Sequence, residues 1–330
     1  MNKVSVKVKS HRTEIYMRFG VLGDAKIARE KLYSAITSLG HEVSMIGRCD
    51  PNLGANKVWS QIPFGTYDDV INNSNVDIVY NPLPNHSHVE MTIRALQAGK
   101  PVLCEKPIAI SEKELDRLEE TIEQTQLYVY DGFMIRYHPQ WDWIRAINVG
   151  QRKIIHSHFT CSPQPIDNFR NFKEYGGGPV WDIGGYCILA GLLIFGGTPT
   201  LVASKKINEE KLDVEIMGTG LIEFGQEQIL NFTVSSGASL SQHVSLIGTH
   251  GWACLDVPFN PPKRAKARFG SKNDGKDGQL YFGKEVTFEE CDQYSLMIRD
   301  FVKAVKENRK TNLSESRYIT RILEQMLLSN

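Results

Sequence analysis

Arg18-Phe19-Gly20-Val21-Leu22-Gly23-Asp24-Ala25-Lys26-Ile27-Ala28 is the stretch whose reading decides the fold. Arg18–Leu22 has strand character and runs into Gly23. Ala25–Leu39 follows with helical spacing and stops at Gly40, a residue suited to a helix C-cap. A strand that turns on glycine into a helix is the setting of the dinucleotide fingerprint G-x-G-x-x-G. Gly23, Ala25 and Ala28 hold its three positions, so two of its glycines are alanines here. Small residues let the backbone approach a pyrophosphate, and the helix N-terminus offers oriented N–H donors. An ordinary tight strand-to-helix turn accounts for the same residues.

Outward from this turn the alternation continues. Glu42–Gly47, Val76–Tyr80, Pro101–Cys104 and Leu127–Tyr130 read as strands. His86–Gln97 reads as a helix, and Ser111 with Glu114 predicts a capping box at the start of another. This βαβα order predicts a doubly wound parallel sheet with helices on both faces. An acidic residue at the end of the second strand serves the ribose hydroxyls of NAD, whereas Arg there serves the 2′-phosphate of NADP. Arg48 lies 20 residues beyond Ala28 and favours NADP. Asp50 keeps NAD open.

Beyond Tyr137 the pattern changes. Ile154–Thr160, Thr200–Ile207, Asp213–Phe224, Gln228–Ser235 and Leu240–Gly248 succeed one another with few helices between, which predicts an antiparallel sheet. Asn260–Gly283, rich in Pro, Gly, Lys and Asp, reads as a long loop. Helices are predicted over Cys291–Glu307 and Ser314–Leu328. Residues 1–16, where Val4, Val6 and Val8 alternate with polar neighbours, are either an added edge strand or an arm.

Composition narrows the functions. The 330 residues suggest about two domains, and 41% hydrophobic with 23% charged residues is ordinary for a globular chain. Lys plus Arg and Asp plus Glu are both 38, so no excess of positive charge points to nucleic acid. No apolar run of membrane length is expected, and Ile183–Thr198 reads as a buried helix start with flanking turns. No signal core precedes residue 17, so a cytoplasmic location is expected. The six cysteines form no C-x-x-C pair and read as free buried thiols. His86/His88 and His156/His158 are H-x-H pairs without a third ligand fixed by spacing, so no metal is expected. No G-x-S-x-G follows a strand, which disfavours hydrolase chemistry.

Two further segments carry chemistry. Glu105-Lys106-Pro107 follows a buried strand, at the end where parallel sheets bind ligands, and Pro107 suits a cis peptide. Asp182 and Tyr186 stand four residues apart in Trp181-Asp182-Ile183-Gly184-Gly185-Tyr186. With Asp182 as a helix cap both side chains share a face. A strand-end turn, a capping Asp and a half-buried Tyr are the plain alternatives.

Together these residues resemble the Gfo/Idh/MocA family, the glucose–fructose oxidoreductase and inositol dehydrogenase group, over most of the chain from Arg18 onward. The resemblance lies in Asn81-Pro82-Leu83-Pro84-Asn85-His86-Ser87-His88, Ala95–Gly99 and Val102–Pro107. Gly132–Trp141 and Gly176–Tyr186 add the form of the sugar and dihydrodiol dehydrogenase branch, with Asp and Tyr rather than Asp and His. The resemblance implies a Rossmann domain over 17–137. It implies a second α/β domain over 138–330, whose open, mainly antiparallel sheet forms a homodimer or higher oligomer face. It implies hydride exchange between NADP (NAD remaining open) and a carbinol or carbonyl carbon of a small sugar, polyol or dihydrodiol.

By the same resemblance Gly23, Asp24, Ala25, Lys26, Ile27, Arg48, Pro82, Leu83, Asn85, His88, Glu105 and Lys106 hold the cofactor. Lys106, Arg136, His138, Arg170, Asp182 and Tyr186 surround the substrate. Tyr186 is the acid/base, assisted by Lys106 and Asp182. Free Tyr titrates near about 10, too high for an efficient base at neutral pH. An ammonium about 4 Å from the phenol would favour phenolate by up to about 4 kcal/mol at an effective dielectric of 20. Lys106 is therefore expected to lower the pKa of Tyr186. The alternative is a non-catalytic cofactor- or sugar-sensing regulator on the same fold, which need keep only the phosphate turn.

Overall fold

The computed structural model describes residues 16–50, 57–271 and 283–329. The alternating segment Val4–Val8 and nearly all of the expected arm lie outside the described residues, as does 272–282 of the expected loop. Among the described residues, β1 (Arg18–Leu22), β2 (Glu42–Gly47), β3 (Phe64–Gly65), β4 (Ile78–Asn81), β5 (Val102–Cys104) and β6 (Val129–Asp131) form one sheet. Its order is β3-β2-β1-β4-β5-β6 and every pairing is parallel. The chain runs outward from β1 in both directions, so the crevice between the ends of β1 and β4 is the switch point where such sheets bind ligands.

The helix after β1 opens with a π-turn over Ala28–Leu32 before regular helix over Tyr33–Ser38. Gly40 then ends it with φ +77°, as its capping role requires. The Ser111 hydroxyl accepts from Glu114 N–H as expected, but the Glu114 carboxylate reaches Ile110 N–H rather than that of Ser111. A complete capping box closes instead on the short helix Tyr67–Ile71, between Thr66 and Asp69. Neither that helix nor β3 was predicted, because each is too short to show periodicity.

The second sheet comprises β7 (Arg152–Thr160), β8 (Pro199–Asn208), β9 (Glu215–Phe224), β10 (Gln228–Ser235), β11 (Ser241–Gly248), β12 (Gly251–Leu255), β13 (Lys266–Ser271) and β14 (Lys284–Thr287). The order is β14-β13-β12-β11-β7-β10-β9-β8. It corrects the expectation in two places. β7 and β10 pair in parallel, so the sheet is mixed, although its other pairings are antiparallel. The segment read as loop contains β13, a short strand next to the edge strand β14 and set among Pro, Gly, Lys and Asp. The helix Pro139–Ala146, begun by a proline at its first turn, was also missed.

The apolar stretch Lys173–Phe195 has the length and hydropathy to cross a membrane, against the expectation that no run would; 83% of its most apolar window is buried, so it is the core helix of this fold. Gly191 explains how the helix Gly185–Phe195 lies so close to the sheet. A Cβ there would meet Phe224 Cζ at 2.8 Å. One continuous core joins Phe19 and Leu103 of the first sheet through Phe133 and Trp141 to Ile188, Phe232 and Leu255. A second core, with Val79, Val102 and Leu115, covers the first sheet's other face. The helix Gln293–Lys306 packs back on the helix that follows β1, so the chain's end braces the first sheet.

Candidate active site

At the end of β1 the chain turns on Gly23, which has φ +96°. Its N–H donates to Gly47 O at 2.8 Å, tying the turn to the end of β2. A Cβ on Gly23 would stand 3.0 Å from Leu83 Cδ2. The turn is thus a shallow cradle floored by backbone and roofed by Leu83. No side chain caps the helix start that follows. Bare N–H groups, Ala25 and Ala28 at the close-approach positions, and a glycine that admits no side chain fit a pyrophosphate. Lys26 is exposed beside Glu30, and Ile27 is half-buried.

Asp24 is the most heavily engaged residue of the turn. Its Oδ1 accepts from Trp59 Nε1 at 2.7 Å and Arg29 Nη1 at 2.6 Å, and its Oδ2 accepts from Arg48 Nη2 at 2.7 Å. Arg48 stacks its guanidinium on Phe64, 3.8 Å from the ring centroid, and is only 7% exposed. Burial would raise the Asp24 carboxyl, but bonds from Arg29 and Trp59 outweigh it and hold its pKa below the usual range. Arg48 therefore stands where the sequence placed it, at the end of β2, but already paired. Asp24's partners Arg29 and Trp59 were missed; Trp59 precedes β3 in a segment without periodic signal.

The ends of β4 and β5 form the opposite lip. Pro82 is buried and Leu83 half-buried. Asn85 Nδ2 donates to Gly176 O at 2.8 Å, reaching the chain that enters the core helix. His88 is fully buried, and its ring nitrogens lie 2.7 Å from Pro107 O and from Leu83 O. The expected cofactor contact is corrected here: His88 has no surface to offer and instead fastens the Leu83 and Pro107 turns together. Burial pushes its pKa down to about 4. The Lys106–Pro107 peptide is cis. Glu105 is half-buried and accepts from Tyr80 Oη at 2.7 Å, and desolvation, more than its neighbours, sets its carboxyl above the ordinary range.

Lys106 crosses from this lip to the core helix. Its Nζ donates to Asp182 O at 2.6 Å and Oδ1 at 3.2 Å, while Arg170 Nε donates to Asp182 Oδ2 at 3.0 Å. Burial opposes ionisation of Asp182, yet Lys106 and then Arg170 hold its pKa at about 2. Asp182 lies within a π-turn over Val180–Gly184 rather than at the helix cap. This corrects the capping expectation while leaving Asp182 and Tyr186 on the same short helical path. Lys106 Nζ lies over the Tyr186 ring, 5.2 Å from its centroid. Phe133, Phe159 and Phe259 enclose that ring at 5.4, 5.6 and 5.5 Å, and the phenol faces Met134 Sδ at 3.6 Å.

The pKa of Tyr186 stands above, not below, its ordinary value, unlike the lowering expected from Lys106. Burial pushes the phenol well above its ordinary value, and Tyr294, Glu105 and Asp182 add to the rise. The ammonium spends its hydrogen bonds on Asp182 and meets the ring face, so it does not offset that burial. Tyr186 is a protonated phenol at neutral pH, suited to give a proton rather than take one.

Residues 17–133 match the profile of an oxidoreductase family with an NAD-binding Rossmann fold, and residues 141–254 match the GFO/IDH/MocA C-terminal domain. The chain belongs to the Gfo/Idh/MocA family. It is an oxidoreductase that works with a nicotinamide dinucleotide. It is 31% identical to an uncharacterized oxidoreductase, ORF334, of Rhizobium meliloti, over 88% of this chain and 89% of that one. It is 26% identical to D-xylose 1-dehydrogenase (NADP(+)) 2 of Haloferax volcanii, over 93% of this chain and 95% of the other. Its structure is similar to that of KijD10, a 3-ketoreductase of Actinomadura kijaniata solved with NADP and TDP-benzene. The TM-score is 0.84 at 25% identity, covering 93% and 95% of the two chains. Solved variants of that ketoreductase replace a lysine by Ala or Glu and a tyrosine by Phe.

Two other residues expected around the substrate in this Gfo/Idh/MocA chain are held by partners of their own. Arg136 is half-buried between Glu315 and Asp131, the latter 3.9 Å away, and fastens the end of β6 to the last helix. His138 caps the helix Pro139–Ala146, its ring accepting from Gln140 N–H at 3.2 Å and packing on Phe288. Burial lowers its pKa to about 4. All six cysteines are free, but only Cys104 and Cys187 are buried; Cys161, Cys254 and Cys291 are half-buried and Cys49 is exposed. Among the described residues no group of three or more His, Cys, Asp or Glu side chains is arranged to hold a metal. His158 stacks on His243 and bonds Ser241.

Proposed function

We propose that this chain is an NADP(H)-dependent reductase and dehydrogenase for a carbonyl or carbinol carbon of a small sugar, polyol or dihydrodiol. One observation carries the reading: Lys106 of the dinucleotide unit is hydrogen-bonded to Asp182 of the second unit, directly over Tyr186. The site is assembled from both halves. A bound nicotinamide supplies or accepts the hydride. In reduction the Tyr186 phenol gives its proton to the carbonyl oxygen as the carbon gains the hydride. Lys106 stabilises the negative charge that develops on that oxygen. Asp182 and Arg170 fix the ammonium, and two cations against one carboxylate leave the trio a net positive charge. In oxidation Tyr186 must first lose its proton, so that direction favours alkaline pH. Names of similar proteins that act on sugars with NADP support this substrate class and cofactor.

We also infer self-association through the open face of the second sheet. Ile229, Ile154 and Ile247 stand in register across β10, β7 and β11, and Ile229 and Ile247 are each 38% exposed. The reading of the site is tested by following NADPH and NADH consumption with aldoses, keto-sugars and diketones, and NADP+ or NAD+ reduction with polyols and diols. Turnover with at least one class is expected. Tight nucleotide binding without turnover on any of them would favour the regulator instead.

A further inference from the structure

We propose that Asp24 sets the balance between NADP and NAD by holding Arg48 back from a 2′-phosphate. This rests on the dinucleotide reading above and concerns the opposite end of the cofactor from the chemistry. In a Rossmann site the adenosine ribose lies at the end of the second strand. A carboxylate there suits the ribose 2′-hydroxyl, and an arginine suits the 2′-phosphate. This chain has both, bonded to each other across the ends of β1 and β2, adjacent strands in the sheet.

The carboxylate is not free to swing aside. Trp59, fully buried, holds Oδ1 at 2.7 Å, Arg29 holds the same oxygen at 2.6 Å, and Arg48 holds Oδ2. Arg48 is fixed in turn by stacking on Phe64. A phosphate that reaches this guanidinium must share it with a fixed anion 2.7 Å away. A ribose hydroxyl meets no such repulsion, and a carboxylate oxygen accepts a hydrogen bond from it. The same pair of residues thus penalises the phosphate and accommodates the hydroxyl. Among the described residues, the net charge of two guanidinium groups against one carboxylate lets the turn keep affinity for NADP. A merely architectural Asp24, tying the turn to Trp59, would affect both cofactors alike, so the ratio of the two affinities is the decisive readout.

The test is fluorescence titration of the full chain with NADPH and with NADH, for wild type and Asp24→Asn. The amide oxygen of Asn still accepts from Trp59, so the turn keeps its anchor while the charge is lost. The NADPH dissociation constant should fall about tenfold, and that for NADH should change less than about threefold. Adding Arg48→Ala to this variant should cancel the gain. If Asp24→Asn loses its near-UV circular dichroism, Asp24→Ser is titrated in its place, with the same shift expected. Equal changes for both nucleotides, or a shift toward NADH, overturn the proposal. Wild-type protein that binds neither nucleotide overturns the dinucleotide reading itself, which is a separate result.

Discussion

Asp182→Asn removes one charge from the Lys106–Asp182–Arg170 trio with almost no change of shape. The size of the effect follows from the carboxyl's titration. Asp182 is held at about 2 against an ordinary 3.8, and each unit is worth roughly 1.4 kcal/mol, so its ionised form stabilises the fold by roughly 2–3 kcal/mol. The sign is that of a depressed carboxyl. The contribution is full above the unfolded value of 3.8 and disappears as pH falls through about 2. At pH 7 the variant should therefore unfold at a urea concentration about 1 M below wild type, taking a slope of about 2–3 kcal/mol per molar. At about pH 3 the gap should shrink to roughly half, because the unfolded wild type then also binds a proton. The side chain is only 21% exposed, so screening by solvent takes little from this figure. A midpoint shift under about 0.3 M at pH 7, or a gap that widens on acidification, would refute the assignment of Asp182 as the anchor of two cations.

Tyr186→Phe should lower turnover by about 10²–10⁴-fold while NADPH binding stays within about twofold of wild type; unchanged turnover removes Tyr186 from proton transfer. Because burial keeps this phenol protonated, wild-type reduction should be flat between about pH 6 and 9 and oxidation should climb through the same window. A bell centred near neutrality would contradict that. Lys106→Ala should depress the reductive rate by the same factor at neutral and alkaline pH, since the ammonium does not tune Tyr186; a loss confined to neutral pH would revive the tuning model. Ile229→Lys should break the apolar row on the open sheet, so that light scattering reports half the wild-type mass, whereas an unchanged mass places the contact elsewhere.

The parts of this protein that were legible in its sequence share a physical property: their periodicity is imposed by burial on a regular element. β1, β2, β10 and the helix Ser314–Leu328 fall where alternation or helical spacing put them. The parts that were not legible owe their form to distant partners. β13 is a short strand next to an edge, set among Pro, Gly, Lys and Asp. The parallel pairing of β7 with β10 depends on a connection through β8 and β9 that no local pattern encodes. At the site, the family resemblance placed Lys106, Arg170, Asp182 and Tyr186 together, and they are in contact there. Arg136 and His138 sit within the same kind of motif, yet their side chains serve an ion pair and a helix cap. Proximity in a motif fixes the backbone; the side chain answers to whichever neighbour satisfies its charge.

The relation between Lys106 and Tyr186 shows how far that distinction reaches. Sequence chemistry pairs an amine with a phenol because an amine can make a phenolate, and the pairing is real. Asp182 changes its meaning. It takes the ammonium's hydrogen bonds through both its carbonyl and its carboxylate, with Lys106 Nζ lying over the ring 5.2 Å from its centroid. The cost of burying a phenolate among Phe133, Phe159 and Phe259 then decides the protonation state. In the proposed mechanism the pair divides the work instead of sharing a proton: the phenol supplies the proton, and the ammonium supplies charge stabilisation to the substrate oxygen. Under that mechanism the site is poised to reduce, and the reverse reaction has to work against the desolvation that makes the forward one ready.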